Sequence, residues 1–483
     1  MKLQPSDAIG KLANSPVASG AASGPGGIAR SRPPRKILFM NDQAPGTVRP
    51  QRVHIYSESI APAPNTNGAG LVISSQVQAF LDLGCEVEFV YLQTKDDLSP
   101  SISNHFRQIT YTVVDARKEK PSRSARLAYW VGWPKDLALR QLFPTRTLLL
   151  REVKRRIQND GTAIHVFNCM RTGNVIPSLP RVRAIWACHE FESEFHALRS
   201  AINQEIEKRR PQAWEKRLMR RLAELERKVA EASGFVLCVA SAEARRIVEE
   251  WSVAHAAYLP FSVGNGNQPV LAGKHANPGE LRLLHVGYLE HTPTYTSLEF
   301  LLTRVFPLLD DGTLSRLKLE IAGESSAQGT WTKAIMEMAR PYPMVRFSGF
   351  VDEIRTAYGR NDLQVVASTR ATGIRTRIIE SWAFGTPVLS TAAGAGGVEA
   401  LEPGRNILIA DDPREFACYL QELVQAPGRL DEIAAAGRQT YEDKYGRSAV
   451  AGVLQELLNS HFGPQLPLAS ALAECSQKFS AVP

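Results

Sequence analysis

The chain has 483 residues, a formal net charge of +8, 44% hydrophobic residues and 22% charged residues. That length is too great for one ordinary core, and the composition allows a large one in each of two domains. The charge, spread so thinly, gives no ground for nucleic acid as a partner, though it suits a protein that handles anionic phosphates or sits near an anionic membrane surface.

Residues 1–34 are rich in Ala, Ser, Gly and Pro, have no apolar signal-peptide core, and read as a disordered leader. A first α/β domain is expected over residues 35–262. Its candidate strands are Lys36–Met40, Arg52–Tyr56, Glu86–Tyr91, Ile109–Val114, Ala163–Asn168, Arg183–Cys188 and Phe235–Ala240. A helix over Gly70–Leu83 follows the loop Pro62–Gly70, and a charged helical stretch spans Glu205–Ala232. Residues 263–279 hold Gly, Asn and Pro with little periodicity and look like a linker.

The second domain, residues 280–445, is more legible. Strands are expected at Leu281–Val286, Leu317–Ala322, Met344–Ser348, Leu363–Ala367, Pro387–Ser390 and Ile407–Ala410. Helices are expected through Leu298–Leu309, Lys333–Arg340, Glu353–Tyr358, Ile374–Phe384 and Pro413–Gln425, and residues 446–483 form a last helix and tail. Strands alternating with helices mean a parallel sheet covered on both faces. Two such domains imply a cleft between the carboxyl ends of two sheets, where ligands bind. No run approaches the roughly 20 apolar residues of a membrane helix, so any membrane contact is expected to be peripheral.

The six cysteines form no CxxC pair, and most fall in apolar runs. Buried free thiols and a reducing cytoplasm follow. No acidic cluster suits a divalent ion, so neither metal nor cofactor is expected.

The strongest local signal runs from Ser368 to Val388. A strand ends near Ala367, a polar loop containing Thr372, Gly373 and Ile374 follows, and a helix begins. A glycine lets a ligand approach the backbone, and free N–H groups with the helix dipole make an anion site. Arg370, Arg375 and Arg377 add donors in a fork that fits phosphate. Arg377 and Glu380 share a helical face. Alone they read as a surface ion pair worth about a few tenths of a kcal/mol. Together with the glycine turn and the second glycine loop, Ala392–Gly397, they read as a site.

This stretch resembles the C-terminal signature of retaining GT-B glycosyltransferases called glycosyl transferases group 1. It has the run of Gly, a basic residue three before Glu, and a Gly-Thr-Pro-Val strand entry. Leu284–Leu289, Ile321–Glu324 and Val345–Asp352 are similar to the same family's earlier strand ends. The fold implied is α/β, GT-B, with two Rossmann-like doubly wound domains facing an interdomain cleft. The resemblance implies that Glu380 binds the ribose of a nucleoside-diphosphate sugar and that Arg377 faces the diphosphate. It implies that the backbone around Gly373–Arg375 cradles phosphate or sugar. The segment Pro62–Gly70 resembles the family's first glycine-rich loop, which puts Gly68 and Gly70 near the donor. On residues alone it reads as an Asn-Gly turn. His189, at a strand end, resembles the acceptor-side histidine; a lone His is as readily structural.

Two positions depart from the family pattern. An acidic residue usual eight positions before Glu380 is here Thr372, and a basic pair usual in the first C-domain loop is replaced by Gly287-Tyr-Leu-Glu-His-Thr292. Stabilisation of the departing diphosphate then rests on Arg375 and Arg377. The expected function is transfer of a sugar from a nucleotide sugar to a glycan or lipid-linked acceptor hydroxyl in surface polysaccharide synthesis. The site would be cytoplasmic, extending to the inner face of the membrane. Sugar-nucleotide epimerisation through Glu324 and His189, and a non-catalytic GT-B module that binds a sugar nucleotide or scaffolds glycan assembly, stay open. The segment Glu205–Arg227, with its lysines and arginines, fits a membrane-surface helix, or a solvated charged face because five glutamates offset it.

Overall fold

The computed structural model describes residues 50–63, 68–94, 106–119, 142–264, 279–370 and 372–463. The leader, the strand expected at Lys36–Met40, most of the expected linker and the tail after Gly463 lie outside them.

The first sheet holds β1 (Arg52–Glu58), β2 (Glu86–Gln93), β3 (Thr110–Asp115), β4 (Ile164–Asn168), β5 (Arg183–Cys188), β6 (Phe235–Cys238) and β7 (Ala256–Tyr258). Their order is β3-β2-β1-β4-β5-β6-β7, with every pairing parallel. The second holds β8 (Leu281–Val286), β9 (Leu317–Ala322), β10 (Val345–Gly349), β11 (Leu363–Val366), β12 (Val388–Ser390) and β13 (Leu408–Ile409). It runs β10-β9-β8-β11-β12-β13, again all parallel. This is the GT-B arrangement of two Rossmann-like sheets.

Parallel strands need crossovers, and crossover helices bury both faces of the sheet. The central strands are therefore apolar at successive positions: β4, β5, β6 and β11 are buried throughout. In each sheet strand order reverses beside the first strand, at β1/β4 and β8/β11. The loops leaving the carboxyl ends there diverge and leave a crevice.

Helix α1 (Gly68–Asp82) follows β1, nearly as expected, and buries Ile73, Val77 and Phe80 against the first sheet. The long charged helix expected over Glu205–Ala232 is instead two helices, α2 (Glu192–Glu207) and α3 (Ala213–Ala232). Lys208 ends α2 in the left-handed region at φ 52°. Pro211 then stands where the chain would have to donate an N–H. Gln212 and Glu215 restart the helix with reciprocal capping bonds. Along α3 only one stripe, including Leu222, Leu225 and Val229, is buried. The outer face mixes Lys216 and Arg220 with Glu224 and Glu231, as a solvated face does.

The helix expected through Leu298–Leu309 is also corrected. Helix α4 (Thr292–Phe300) begins earlier, widens to a π-turn at Leu301–Val305 and tightens to a 3₁₀ turn at Phe306–Leu308. Pro307 cannot continue the α-helical bonding. Helix α5 (Thr376–Ala383) follows β11 and buries Ile378, Ile379 and Trp382. The last described helix, α6 (Arg447–Phe462), returns to the first sheet, where Val450, Leu454 and Leu458 share a core with Val53 and Phe80. Cys85, Cys188 and Cys238 are buried free thiols, Cys169 is part-buried and Cys418 is exposed.

No described helix is long and apolar enough to cross a membrane.

Candidate active site

A cavity of about 520 Å³ opens between the two sheets, lined by loops that follow β1, β5, β6, β8, β9, β10 and β11. That volume suits a ligand of nucleotide-sugar size. Of the site residues expected from sequence, Gly68, His189, Thr372, Gly373, Ile374, Arg375, Arg377 and Glu380 line it, whereas Gly70 and Arg370 do not. Gly70 is buried one turn into α1, two residues behind the rim.

The amino ends of α1 and α5 meet across the cleft. A methyl group on Gly68 would lie 2.9 Å from Thr376 Oγ1, so only glycine permits this approach without displacement. No side chain caps the start of α5 at Arg375, so the helix end presents uncapped N–H groups and partial positive charge. Gly373, at φ +63°, makes the turn into that end, and a methyl there would come 2.9 Å from Glu190 Cβ.

Arg375 and Arg377 flank this helix end and are only 5% and 8% exposed. Among the described residues neither has a carboxylate within ion-pair distance. Arg375 Nη2 donates to its own loop at Gly373 O (3.2 Å), and its Nε is buried without an acceptor. Burial, with Arg377 alongside, pulls the Arg375 guanidinium down to about 10, and burial lowers Arg377 as well. Two buried cations so poorly compensated form a site that wants an anion.

Arg377 is held from behind. Its Nη1 lies 3.2 Å from Nε2 of the fully buried His285 in β8, and His285 Nδ1 lies 3.0 Å from Val365 O. Burial and Arg377 keep His285 at about 3, so its ring is neutral, Nδ1–H donates to the carbonyl and Nε2 accepts from the arginine. Glu380, one turn into α5, is 8% exposed and accepts from the Tyr358 hydroxyl (3.2 Å), which also reaches Arg377 O (3.2 Å). Burial raises Glu380 to about 7. Both side chains are thus buried and separately held, which removes the surface-ion-pair reading.

On the opposite wall, His189 follows β5, and its Nε2 lies 3.0 Å from Asn168 Oδ1 at the end of β4. Burial lowers it to about 4, so the ring is neutral, and Nδ1 is buried without a partner. Glu190 also enters the cavity. Its Oε2 accepts from Thr372 Oγ1 at 3.0 Å, across the cleft, and burial raises it to about 7.

Helix α2 closes one side. Glu205 and Arg370 form a two-pronged bond, 2.6 Å in each arm. Asn203 accepts from Trp331 Nε1 at 2.8 Å, and the rings of Phe195 and His291 lie 5.7 Å apart. In the Gly287–Thr292 loop, Glu290 turns from the cavity to accept from the Thr332 N–H (2.8 Å), while His291 faces inward.

Sequence reasoning missed His285, Tyr358 and the part played by Glu190. A histidine inside the apolar run Leu281–Val286 was the available signal for the first. Tyr358 is an ordinary core aromatic until the fold brings it to Glu380.

Residues 280–426 match the family model described as Glycosyl transferases group 1. The curated relative "Lipopolysaccharide core biosynthesis glycosyltransferase LpsE" of Rhizobium meliloti (strain 1021) is 31% identical over 118 residues, 24% of this chain. The match spans about a third of that relative's length, 34%. Among solved structures, sucrose-phosphate synthase from Thermosynechococcus elongatus has a TM-score of 0.62 at 18% identity, covering 85% of this chain and 99% of its own. Anabaena Alr3699/HepE, solved in complex with UDP and glucose, has a TM-score of 0.57 at 13% identity, covering 85% of this chain and all of its own (100%). Residues 280–426 thus resemble glycosyl transferases group 1, and the two sheets around them have the GT-B fold.

Proposed function

We propose that this protein transfers a sugar from a nucleoside-diphosphate sugar to a hydroxyl of a glycan or lipid-linked acceptor, in surface polysaccharide synthesis in the cytoplasm or at its membrane face. One observation carries the reading: two buried arginines, without carboxylate partners among the described residues, flank an uncapped helix end inside an interdomain cavity. A diphosphate supplies the missing charge. The group 1 match, the LpsE relative and the UDP and glucose held by HepE support the choice of anion and the polysaccharide setting.

In this reading the bond between the anomeric carbon and the diphosphate oxygen breaks, and its electron pair leaves with the diphosphate. The acceptor oxygen bonds to that carbon, and its proton passes to the departing diphosphate. Arg375, Arg377 and the start of α5 stabilise the growing charge in a site shielded from water. Glu380 takes the ribose hydroxyls. Gly68, which has no Cβ, lets the diphosphate approach the amino end of α1. His189, neutral and fixed through Asn168, lies on the wall where sugar and acceptor meet. Retention of anomeric configuration and independence from metal ions follow the family resemblance. Basic residues on the outer face of α3 leave peripheral membrane contact as part of the proposal, through anionic headgroups.

Slow hydrolysis of nucleotide sugars by the purified protein tests the reading. Release of free sugar from one donor, abolished by Arg377→Ala, is the expected result. Tight nucleotide-sugar binding with no turnover of any donor would favour a non-catalytic binding module.

A further inference from the structure

We propose that Glu190 is a donor-binding, specificity-determining residue, delivered by the N-terminal sheet to the hydroxyls of a sugar whose diphosphate is held by the other sheet. The inference rests on reading the cleft as a nucleotide-sugar site.

Three observations converge on Glu190. The first is position. It stands directly after His189 on the loop leaving β5 and faces the same cavity as Arg375, Arg377 and Glu380. Its Cβ packs against Gly373, the residue that turns the chain into α5. A sugar joined to a diphosphate at that helix end lies between the guanidiniums and this loop. The second is hydrogen-bonding capacity. Oε2 takes the Thr372 hydroxyl at 3.0 Å, and among the described residues Oε1 has no protein donor. An ionised carboxylate is an acceptor with several lone pairs, and sugar hydroxyls are donors. The third is charge. Burial, the largest influence, raises its carboxyl to about 7 and Arg375 pulls the other way, so a ligand that brings donors to it favours the ionised form. The result is a carboxyl group held in place by one threonine, half-used, and facing space.

Thr372 is the second half of the device. At this point on the wall the second sheet offers a hydroxyl and no charge, and the carboxyl group that meets it comes from the other domain. A carboxylate that reads sugar hydroxyls from the N-terminal sheet couples sugar recognition to the closed cleft. A nucleoside diphosphate without its sugar makes no use of it. Rejecting an analogue that lacks a hydroxyl is the task such a group does well, because a buried acceptor left unpaired is costly.

The test separates sugar recognition from a purely structural contact. Calorimetry would measure binding of UDP, GDP and ADP, and of their glucose, galactose and N-acetylglucosamine conjugates, and donor hydrolysis would be followed in parallel. The proteins are wild type, Glu190→Gln, Glu190→Ala, Thr372→Val and the exchange Glu190→Ala/Thr372→Glu. Glu190→Gln keeps the volume should Glu190→Ala fold poorly. We expect both Glu190 variants to bind the preferred nucleoside diphosphate within about twofold of wild type. Their affinity or hydrolysis kcat/KM for the matching nucleotide sugar should fall by about tenfold or more. Thr372→Val should lose less, and the exchange should regain part of the loss, because it returns a carboxylate to the same contact from the other wall. Unchanged nucleotide-sugar binding and hydrolysis in both Glu190 variants would overturn the proposal. Equal loss for the nucleoside diphosphate and its sugar conjugate would overturn it too, by making Glu190 a structural clamp. A wild-type protein that binds none of these nucleotides defeats the reading of the cleft itself, a result distinct from either.

Discussion

His285 Nε2 accepts a hydrogen bond from Arg377 Nη1 at 3.2 Å, and the ring can do so only because its Nδ1–H is committed to Val365 O. The histidine is a neutral prop that fixes where a buried cation points. Replacing it with alanine leaves the guanidinium short of an acceptor and free to move. We expect His285→Ala to cost about 1–3 kcal/mol of stability and to weaken nucleoside-diphosphate binding by about tenfold. His285→Gln, which can still offer an oxygen, should lose less of both. Denaturant unfolding and calorimetry check the pair of effects, and wild-type nucleotide affinity in His285→Ala would show that Arg377 needs no such support.

Gly373 has a sharper constraint. At φ +63°, with Glu190 Cβ 2.9 Å from where a methyl would stand, alanine meets backbone strain and a contact at once. Gly373→Ala should cost about 1–3 kcal/mol of stability and displace the turn that leads to Arg375. The expected reading is a lower Tm together with lost nucleotide stabilisation. A variant that binds like wild type would mean the turn has slack.

Glu380 makes stability depend on pH. Burial raises its carboxyl from 4.5 to about 7, so the folded protein holds the proton more tightly than the unfolded chain. Its contribution to stability is therefore greatest below the unfolded value and is lost as pH rises towards about 7. Glu190 and Glu226, both also raised to about 7 by burial, act in the same direction. Glu380→Gln should remove one share of that loss, about 1–3 kcal/mol between about pH 5 and pH 8 in the ligand-free protein. Chemical denaturation across that range should give a flatter profile than wild type. An unchanged slope would place the titration elsewhere.

The Glu205–Arg370 pair bridges α2 and the loop after β11 with two 2.6 Å bonds, yet both side chains are partly exposed, at 57% and 33%. Such a pair is worth about 1 kcal/mol or less to stability. Arg370→Ala should therefore barely move the unfolding midpoint at moderate salt. If the pair helps hold the cleft closed, the same variant should raise the KM for the donor more than it lowers kcat. A large stability loss would mark this contact as part of the core.

Much of the second half was legible in the sequence, because buried parallel strands such as Leu363–Val366 are short continuous apolar runs between helices. The anion-binding turn was legible too, since Gly373, Arg375 and Arg377 lie together in the chain. What escaped depends on distant approach or on local breaks. Glu190 acquires its place only when Thr372, 182 residues away, comes to meet it. The strand Ala256–Tyr258 is a three-residue edge with no distinctive pattern. The break at Lys208–Gln212 was hidden by unbroken charge on either side, although Pro211 marked it. The helix Arg447–Phe462 read as an appendage, and its return to the first sheet is set by packing of Val450, Leu454 and Leu458, which no local pattern encodes.

The most direct test is a thermal-shift screen of nucleoside diphosphates and their sugars on wild type, Arg375→Ala, Arg377→Ala and Glu380→Ala. Anything that binds only the folded state raises its apparent stability, by about 2.7 kcal/mol at a hundred times Kd. We expect a clear upward shift in wild type with at least one nucleoside diphosphate, and a much smaller shift in each variant. Equal shifts in wild type and all three variants would place the anion elsewhere and contradict the assignment of this cleft.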